Sequence, residues 1–205
     1  MKISKIEKSK HKQERVLVYT EEGDLLRITE TELLRFGLYK GMEMPTELAE
    51  EVKKSGKSSE NRAYAAHLAS NRLISVQEIT EKLKNRGADE EEAAEIAEWL
   101  IQMGAVNDAA YAGVIARHYA TMGYGAARVE QELYRHGIPK PLWDNALENL
   151  QDPAEAIEKF ARGKLKGKPL DREMGRKLAA ALQRRGFSWG DIRPVLNKLG
   201  QEIEE

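Results

Sequence analysis

The hydrophobic positions of this 205-residue chain follow a helical period through most of its length. From residue 60 onward, apolar residues recur at spacings of three and four, which place them on one side of a helix. A run of β-branched residues at Arg15–Thr20, then turn residues, then Leu25–Ile28 indicates a β-hairpin instead. The pattern therefore predicts a mainly α-helical chain with a small N-terminal β-hairpin plus helix segment. The lysine-rich residues 1–15 are expected to be frayed or to form an edge.

The stretch Gly123–Ile138 contains the pattern on which the remaining helices are built. Val129 and Leu133 are four residues apart and share one helical face. Gly137 then ends the helix, because a residue without a Cβ atom takes the left-handed cap conformation at low cost. The Gly123-Tyr-Gly125 turn before the helix lacks the third glycine of a dinucleotide fingerprint, so it is interpreted as a turn.

The same skeleton occurs three times. Superposing Gly87, Gly137 and Gly186, which are 50 and 49 residues apart, aligns five further columns: Ile79/Val129/Leu178, Leu83/Leu133/Leu182, Arg86/His136/Arg185, Ile96/Ala146/Val195 and Leu100/Leu150/Leu199. This period predicts three tandem three-helix repeats in an elongated, curved array. A radius of gyration above about 17 Å, the value for a compact chain of this length, would agree with that shape.

The predicted domains are a hairpin and helix segment at 1–55 and three repeats at 56–106, 107–151 and 152–205. Ser55–Ser59 resembles the end of a phosphate-binding loop, but Glu51 replaces the required first glycine and no strand precedes it. It is interpreted as a linker. Pro194 is expected in the first turn of the last helix, where proline is tolerated.

Charge is distributed unevenly, although the net charge is only −1. Residues 78–105 hold eight acidic and three basic residues, whereas residues 159–198 hold twelve basic and three acidic ones. A basic C-terminal third suggests a polyanion or an acidic protein surface as partner, and a merely solvated face is the alternative.

Residues that carry catalysis or bind metals are not found in a recognisable pattern. Cysteine is absent, and none of the four histidines lies three or four residues from another. No nucleophile stands beside a base. We therefore expect a non-enzyme without a cofactor or metal. Because the sequence also lacks a long apolar run, we expect no membrane contact and a cytoplasmic location.

Candidate binding residues fall in two groups, both basic. The first, in the third repeat, consists of Lys164, Lys166, Lys168, Arg172, Arg176, Lys177 and Arg184. Those on the helix after Asp171 share its polar side, so the group would contact phosphates without reading sequence.

The second group, in the middle repeat, consists of Tyr124, Arg128 and Arg135. Arg128, Glu132 and Arg135 could equally form ion pairs of small value. Tyr124 is either a plug over the helix start or an exposed contact. Trp99, Trp143 and Trp189 are expected to pack between helices.

Four stretches of the chain together resemble the RecX family of recombination regulators. They are Gly104–Ala112, Gly123–Leu133 with His136-Gly-Ile138, and the flanking runs from Ser75 to Arg86 and from Leu182 to Ile192. The resemblance covers about residues 60–200. It implies three tandem three-helix repeats that bind the filament of a RecA-type recombinase on single-stranded DNA. It also implies modulation, mostly inhibition, of ATP hydrolysis, strand exchange and coprotease activity, by a protein expected to be monomeric.

Two alternatives remain open from the sequence. A direct, sequence-nonspecific DNA-binding protein could use the repeats as helix-turn-helix-like readers and contact phosphates of single- or double-stranded DNA. A helical scaffold for another partner is the second. For the filament hypothesis, we expect Arg128→Glu with Arg135→Glu to weaken inhibition while leaving helicity intact.

Overall fold

The fold is mainly helical, with one small sheet at the N-terminus. The structure is a computed structural model, which describes residues 1–10, 12, 14–148, 150 and 152–201. The elements are β1 Ile3–Lys8, β2 Arg15–Thr20, β3 Leu25–Thr29, α1 Glu30–Arg35, α2 Thr46–Asn71, α3 Val76–Asn85, α4 Glu90–Gln102, α5 Asp108–Thr121, α6 Ala126–Arg135, a short 3-10 turn Lys140–Leu142, α7 Trp143–Glu148, α8 Pro153–Leu165, α9 Arg172–Arg184 and α10 Trp189–Gln201.

The N-terminal sheet has three antiparallel strands in the order β1-β2-β3, so the predicted hairpin is incomplete. Val18 pairs with Ile6 on one side and with Leu26 on the other, and Val18 is fully buried. The lysine-rich start thus supplies an edge strand, while positions 11 and 13 lie outside the described residues. Lysine is common on edge strands because it discourages pairing with other chains.

Helix α2 runs unbroken for 26 residues, so the predicted linker at Ser55–Ser59 is wrong. Gly56 lies inside this helix, at the point where the helix crosses β3 closely. A Cβ atom on Gly56 would collide with the Arg27 carbonyl oxygen. Glycine therefore permits a close helix–strand approach here and does not interrupt the helix.

The repeated columns predicted from the sequence are confirmed. Their apolar members are buried in all three copies, apart from the half-buried Leu150. Gly87, Gly137 and Gly186 all have positive φ, at +82°, +68° and +88°. These are left-handed conformations in which a side chain is strained, and each glycine follows the end of the second helix of its repeat.

Side-chain caps start most of the repeat helices. Asp89, Asn107 and Asp171 each accept a hydrogen bond from a backbone N–H three residues later.

The predicted place of Pro194 in the first turn of the last helix is wrong. Helix α10 begins at Trp189, and Pro194 is its sixth residue, beyond the first turn. The proline deprives the Gly190 carbonyl of its helical donor, but Gly190 is exposed to solvent.

The chain divides into two compact units. The first contains Met1–Arg72 and Ile79–Ala105, and the second contains Leu73–Glu78 and the chain from Val106 onward. The apolar core of the first unit includes the sheet and the start of α2, and the second has one core in α5–α7 and another in α8–α10. None of the helices in the described ranges is long and apolar enough to cross a membrane.

Candidate functional site

The residue before each repeat glycine makes a contact with an element that precedes its own helix. Arg86 lies 4.3 Å from the centroid of the Tyr64 ring on α2. His136 Nδ1 is 3.0 Å from Glu78 Oε1 at the start of α3. Arg185 donates from Nη1 to the carbonyl oxygens of Met122 and Gly123, at 3.1 and 3.0 Å. This column therefore links each repeat to the preceding part of the chain.

The junction between α9 and α6 is made by backbone. Gly125 N–H donates to the Arg185 carbonyl oxygen at 2.9 Å, and Ala127 N–H donates to that of Gly186 at 3.2 Å. The carbonyls at the end of one helix thus satisfy free N–H groups at the start of the other, and the two helix dipoles are complementary. A Cβ atom on Gly125 would collide with the backbone of Gly186 and Phe187, so the approach requires glycine.

Tyr124 lies between two cations at this junction. Its ring centroid is 5.1 Å from the Arg185 guanidinium and 5.9 Å from that of Arg128. The Tyr119 ring contacts it edge-on at 5.6 Å. Tyr124 is half-buried, so it packs over the start of α6 and still keeps part of its ring exposed. Cation–π contacts of this kind contribute about 0.5–1 kcal/mol each at exposed sites.

Glu132 is the unexpected member of the middle repeat, because its side chain is only 4% exposed. Arg128 reaches Oε1 at 2.7 Å and Arg135 reaches Oε2 at 2.6 Å. The ion pair is confirmed, and the structure adds that the shared carboxylate is buried, so that removing one partner of the pair would be costly. Charge reversal at Arg128 or Arg135 would also disturb this buried group, so it does not test the surface alone.

A second polar cluster lies around His136. Its Nδ1 is 3.1 Å from the Tyr111 hydroxyl and 3.0 Å from Glu78 Oε1. Asp108 accepts a hydrogen bond from Val76 N–H at 3.0 Å. Burial raises the pKa of the Asp108 carboxyl, and the negative charge of Glu78 raises it further. His136 thus bridges Tyr111 on α5 and Glu78 on α3.

The basic residues of the third repeat form one exposed region, which we term the α8–α9 basic surface. It consists of Lys164, Lys166, Lys168, Arg172, Arg176, Lys177 and Arg184, all of them exposed. Lys177 pairs with Glu173 at 2.5 Å, whereas Arg172, Arg176 and Arg184 contact no acidic side chain among the described residues. Lys166 ends α8 with a left-handed φ of +50°.

The two predicted groups differ in how many contacts their side chains make within the protein. Tyr124 and Arg128 are joined in one stack, and Arg135 joins them only through Glu132. In the part of the chain that the structure describes, the arginines of the α8–α9 basic surface form no ion pair. Within the described ranges, no group of three His, Asp or Glu side chains could hold a metal ion.

Most of the chain is similar to proteins of one known family. The second three-helix domain of RecX matches residues 107–147, and the third matches residues 151–196. Regulatory protein RecX of Halorhodospira halophila is 30% identical over 158 residues, which are 75% of this chain and 97% of that relative. The chain belongs to the RecX family.

Other RecX proteins are similar over greater lengths. The protein of Streptococcus uberis is 28% identical over 209 residues, which are 100% of this chain and 80% of that relative. A crystal structure of regulatory protein RecX has a TM-score of 0.74 at 24% identity, covering 96% of this chain and 98% of that one. RecX from Lactobacillus salivarius has a TM-score of 0.63 at 22% identity, covering 72% and 97%. These two structures share the fold.

Membership in the RecX family confirms the resemblance seen in the sequence. The relatives are named regulatory proteins, which supports a regulatory role for this chain. The sequence did not reveal two features of this RecX-type chain. Glu132 has no acidic counterpart in the other repeats, where Lys82 and Ala181 stand, so no column marked it. Trp189 is 53% exposed and does not pack between helices as expected, whereas Trp143 donates from Nε1 to the Ile138 carbonyl at 2.9 Å.

Proposed function

We propose that this protein binds the filament of a RecA-type recombinase on single-stranded DNA and modulates it, mostly by inhibition. ATP hydrolysis, strand exchange and coprotease activity would all fall. Family membership supports a regulatory role. The observation that carries the proposal is the exposed α8–α9 basic surface within a chain of repeats that are linked by the same junction residue.

The physical basis is the addition of weak contacts. A filament presents the same surface at regular intervals, and a protein made of tandem modules can contact several intervals at once. Linked contacts gain affinity through effective concentration, so no single module needs to bind tightly. Such a regulator acts by occupying a surface and needs neither a catalytic group nor a cofactor.

Two sets of side chains are proposed for the partner. The arginines of the α8–α9 basic surface would contact phosphate oxygens of the filament DNA, because guanidinium groups bind phosphate well without reading sequence. Tyr124, Arg128 and Arg135 would contact the recombinase, and Arg135 is the most accessible of the cations there, with 66% of its side chain exposed.

A pull-down with the cognate recombinase tests the proposal. Capture is expected to be strong only when single-stranded DNA and nucleotide are both present, since these form the filament. The triple variant Arg172→Gln, Arg176→Gln, Arg184→Gln should capture at least tenfold less. A matched control, Lys40→Gln, Lys53→Gln, Lys82→Gln, removes the same charge from exposed or half-buried positions elsewhere. Equal capture by the two triple variants would contradict the assigned surface, and absent capture by the native chain would contradict the function.

Direct, sequence-nonspecific DNA binding by helix-turn-helix-like repeats is a second candidate, favoured by the same basic surface. It predicts tight binding to labelled DNA without recombinase. The logarithm of that affinity should fall steeply with the logarithm of salt concentration, with a slope of about −0.9 for each neutralised phosphate. Weak binding to DNA alone, with strong capture by the filament, would favour the first candidate.

A further inference from the structure

A cavity of about 710 Å³ lies in the first unit, and the proposed function does not use it. Its walls come from β2, β3, α1, α2 and α4. The volume is within the range of about 300–1,000 Å³ that is usual for small-molecule sites. Its lining is rich in hydrogen-bond donors, which suggests an acceptor-rich ligand.

Arg15 forms the buried part of this lining, with a relative exposure of only 6%. Its Nη1 donates to Ser59 Oγ at 2.6 Å, and Ser59 in turn donates to Glu32 Oε2 at 3.1 Å. No carboxylate among the described residues lies within ion-pair distance of Arg15. A guanidinium has five N–H donors, so most of those on Arg15 remain to be satisfied from the cavity.

Helix α2 adds a stripe of donors along the cavity. Lys54, Ser58 and Arg62 are four residues apart and therefore lie on one face of the helix. Within the described part of the chain, none of the three forms a hydrogen bond or an ion pair through its side chain. The Arg62 guanidinium lies 5.3 Å from the centroid of the Trp99 ring.

Two of the three acidic side chains of the lining are occupied, and the third is the exposed Glu14. Glu32 accepts hydrogen bonds from Ser55 Oγ at 2.6 Å and from the Thr29 backbone at 2.7 Å. Glu51 pairs with Arg35 at 3.7 Å. The donors on Arg15 and the α2 stripe are thus left in excess over free acceptors.

We propose that this cavity binds a small molecule through a phosphate monoester. A phosphate offers several strong acceptor oxygens to converging donors, and both lysine and arginine bind it well. The donors here are side chains on a helix, so the site is unlike a glycine-rich phosphate loop even though it uses the segment around Ser55–Ser59. The Arg62–Trp99 stack offers a flat surface on which the base of a nucleotide can lie.

Isothermal titration of the full-length protein tests this with three probes at constant ionic strength: inorganic phosphate, adenosine 5′-monophosphate and adenosine. We expect both phosphate-bearing probes to bind and adenosine to bind at least tenfold more weakly than the monophosphate. A monophosphate that binds better than inorganic phosphate, and shifts the Trp99 indole signal in an NMR spectrum, identifies a nucleotide as the source of the phosphate. Equal affinity for the monophosphate and for inorganic phosphate shows that the site recognises only the phosphate group.

Variants distinguish phosphate binding at this site from general attraction between phosphate and the basic side chains of the protein. Lys54→Gln and Arg62→Gln should each weaken phosphate binding by about tenfold, and Ser58→Ala by a smaller factor. Lys53→Gln removes the same charge from the neighbouring position, where Lys53 is 3.8 Å from Asp24, and should leave binding unchanged. Absent binding of both phosphate probes, or equal losses in Lys53→Gln and Lys54→Gln, would overturn the proposal. All four changes are at exposed or half-buried positions, so circular dichroism should remain native.

Discussion

The Arg185 guanidinium lies 5.1 Å from the centroid of the Tyr124 ring, and its Nη1 donates to the carbonyl oxygen of the adjacent Gly123 at 3.0 Å. One side chain of the third repeat thus fixes the turn that begins the central helix of the second. Arg86 and His136 occupy the same column, and each of them also contacts an element that precedes its own helix.

Removing the Arg185 side chain should weaken this junction. Arg185→Met keeps the length of the side chain but loses two charge-assisted hydrogen bonds, so we expect unfolding to become easier by about 1–3 kcal/mol. Chemical denaturation measures the loss. Arg184→Met is the matched control, because Arg184 is exposed and contacts no acidic side chain among the described residues. A similar loss in both variants would refute the assigned role of Arg185.

Gly125 and Gly163 should respond to alanine in opposite directions. A Cβ atom on Gly125 collides with backbone of Gly186 and Phe187, which cannot move aside as a flexible side chain would. We expect Gly125→Ala to cost about 1–3 kcal/mol or more. Gly163 lies within α8 with nothing near its Cβ position, so Gly163→Ala should stabilise by about 0.5–1 kcal/mol. Thermal unfolding of both variants checks the pair, and a neutral Gly125→Ala would contradict the backbone junction.

Arg128 should be far less tolerant of charge reversal than an ordinary surface arginine. Arg128→Glu would place a second carboxylate beside the buried Glu132 and remove one of its two partners. Breaking a buried pair from one side costs about 3–5 kcal/mol, and the residual pair with Arg135 should keep the loss near the lower end. Arg117→Glu, at an exposed position on α5, serves as the control. Comparable unfolding free energies for the two variants would show that Glu132 needs no cation at Arg128.

Glu32 should make the stability of the first unit depend on pH. Burial by itself would raise the pKa of this carboxyl, but hydrogen bonds from Ser55, Thr29 and Ser59 together lower it below the ordinary value of 4.5. A lowered folded-state pKa gives stability that is present above the unfolded value and is lost as pH falls through the folded one. The difference in unfolding free energy between native protein and Glu32→Gln should therefore be largest near pH 7 and shrink below about pH 4.5. A difference that stays constant down to pH 3 would exclude this linkage.

The sequence was sufficient to predict the repeated helices, because the spacing of apolar residues along a helix shows which of them are buried. Val129, Leu133 and Gly137 were predicted as two core positions and a helix end, and they occupy those places. Helix spacing carries this information locally, so no knowledge of distant contacts was needed.

The sequence failed where a residue's meaning depends on a distant partner. In the sequence, Gly56 indicated a linker between helices. In the structure it is needed because the Arg27 carbonyl oxygen on β3 leaves no room for a side chain. For β1 the sequence left a frayed end and an edge both open because lysines interrupt its isoleucines, and only pairing with β2 decides between them. The burial of Glu132 likewise depends on where two arginines converge in space, which spacing along one helix leaves open.

The effect of the purified protein on DNA-dependent ATP hydrolysis by its cognate recombinase tests the proposed function most directly. Filament length, measured by electron microscopy on the same samples, should accompany it. We expect both to fall at stoichiometric amounts of the native protein, and to fall much less with the triple variant Arg172→Gln, Arg176→Gln, Arg184→Gln. Unchanged hydrolysis and unchanged filament length with the native protein would contradict the proposal that this chain regulates a recombinase filament.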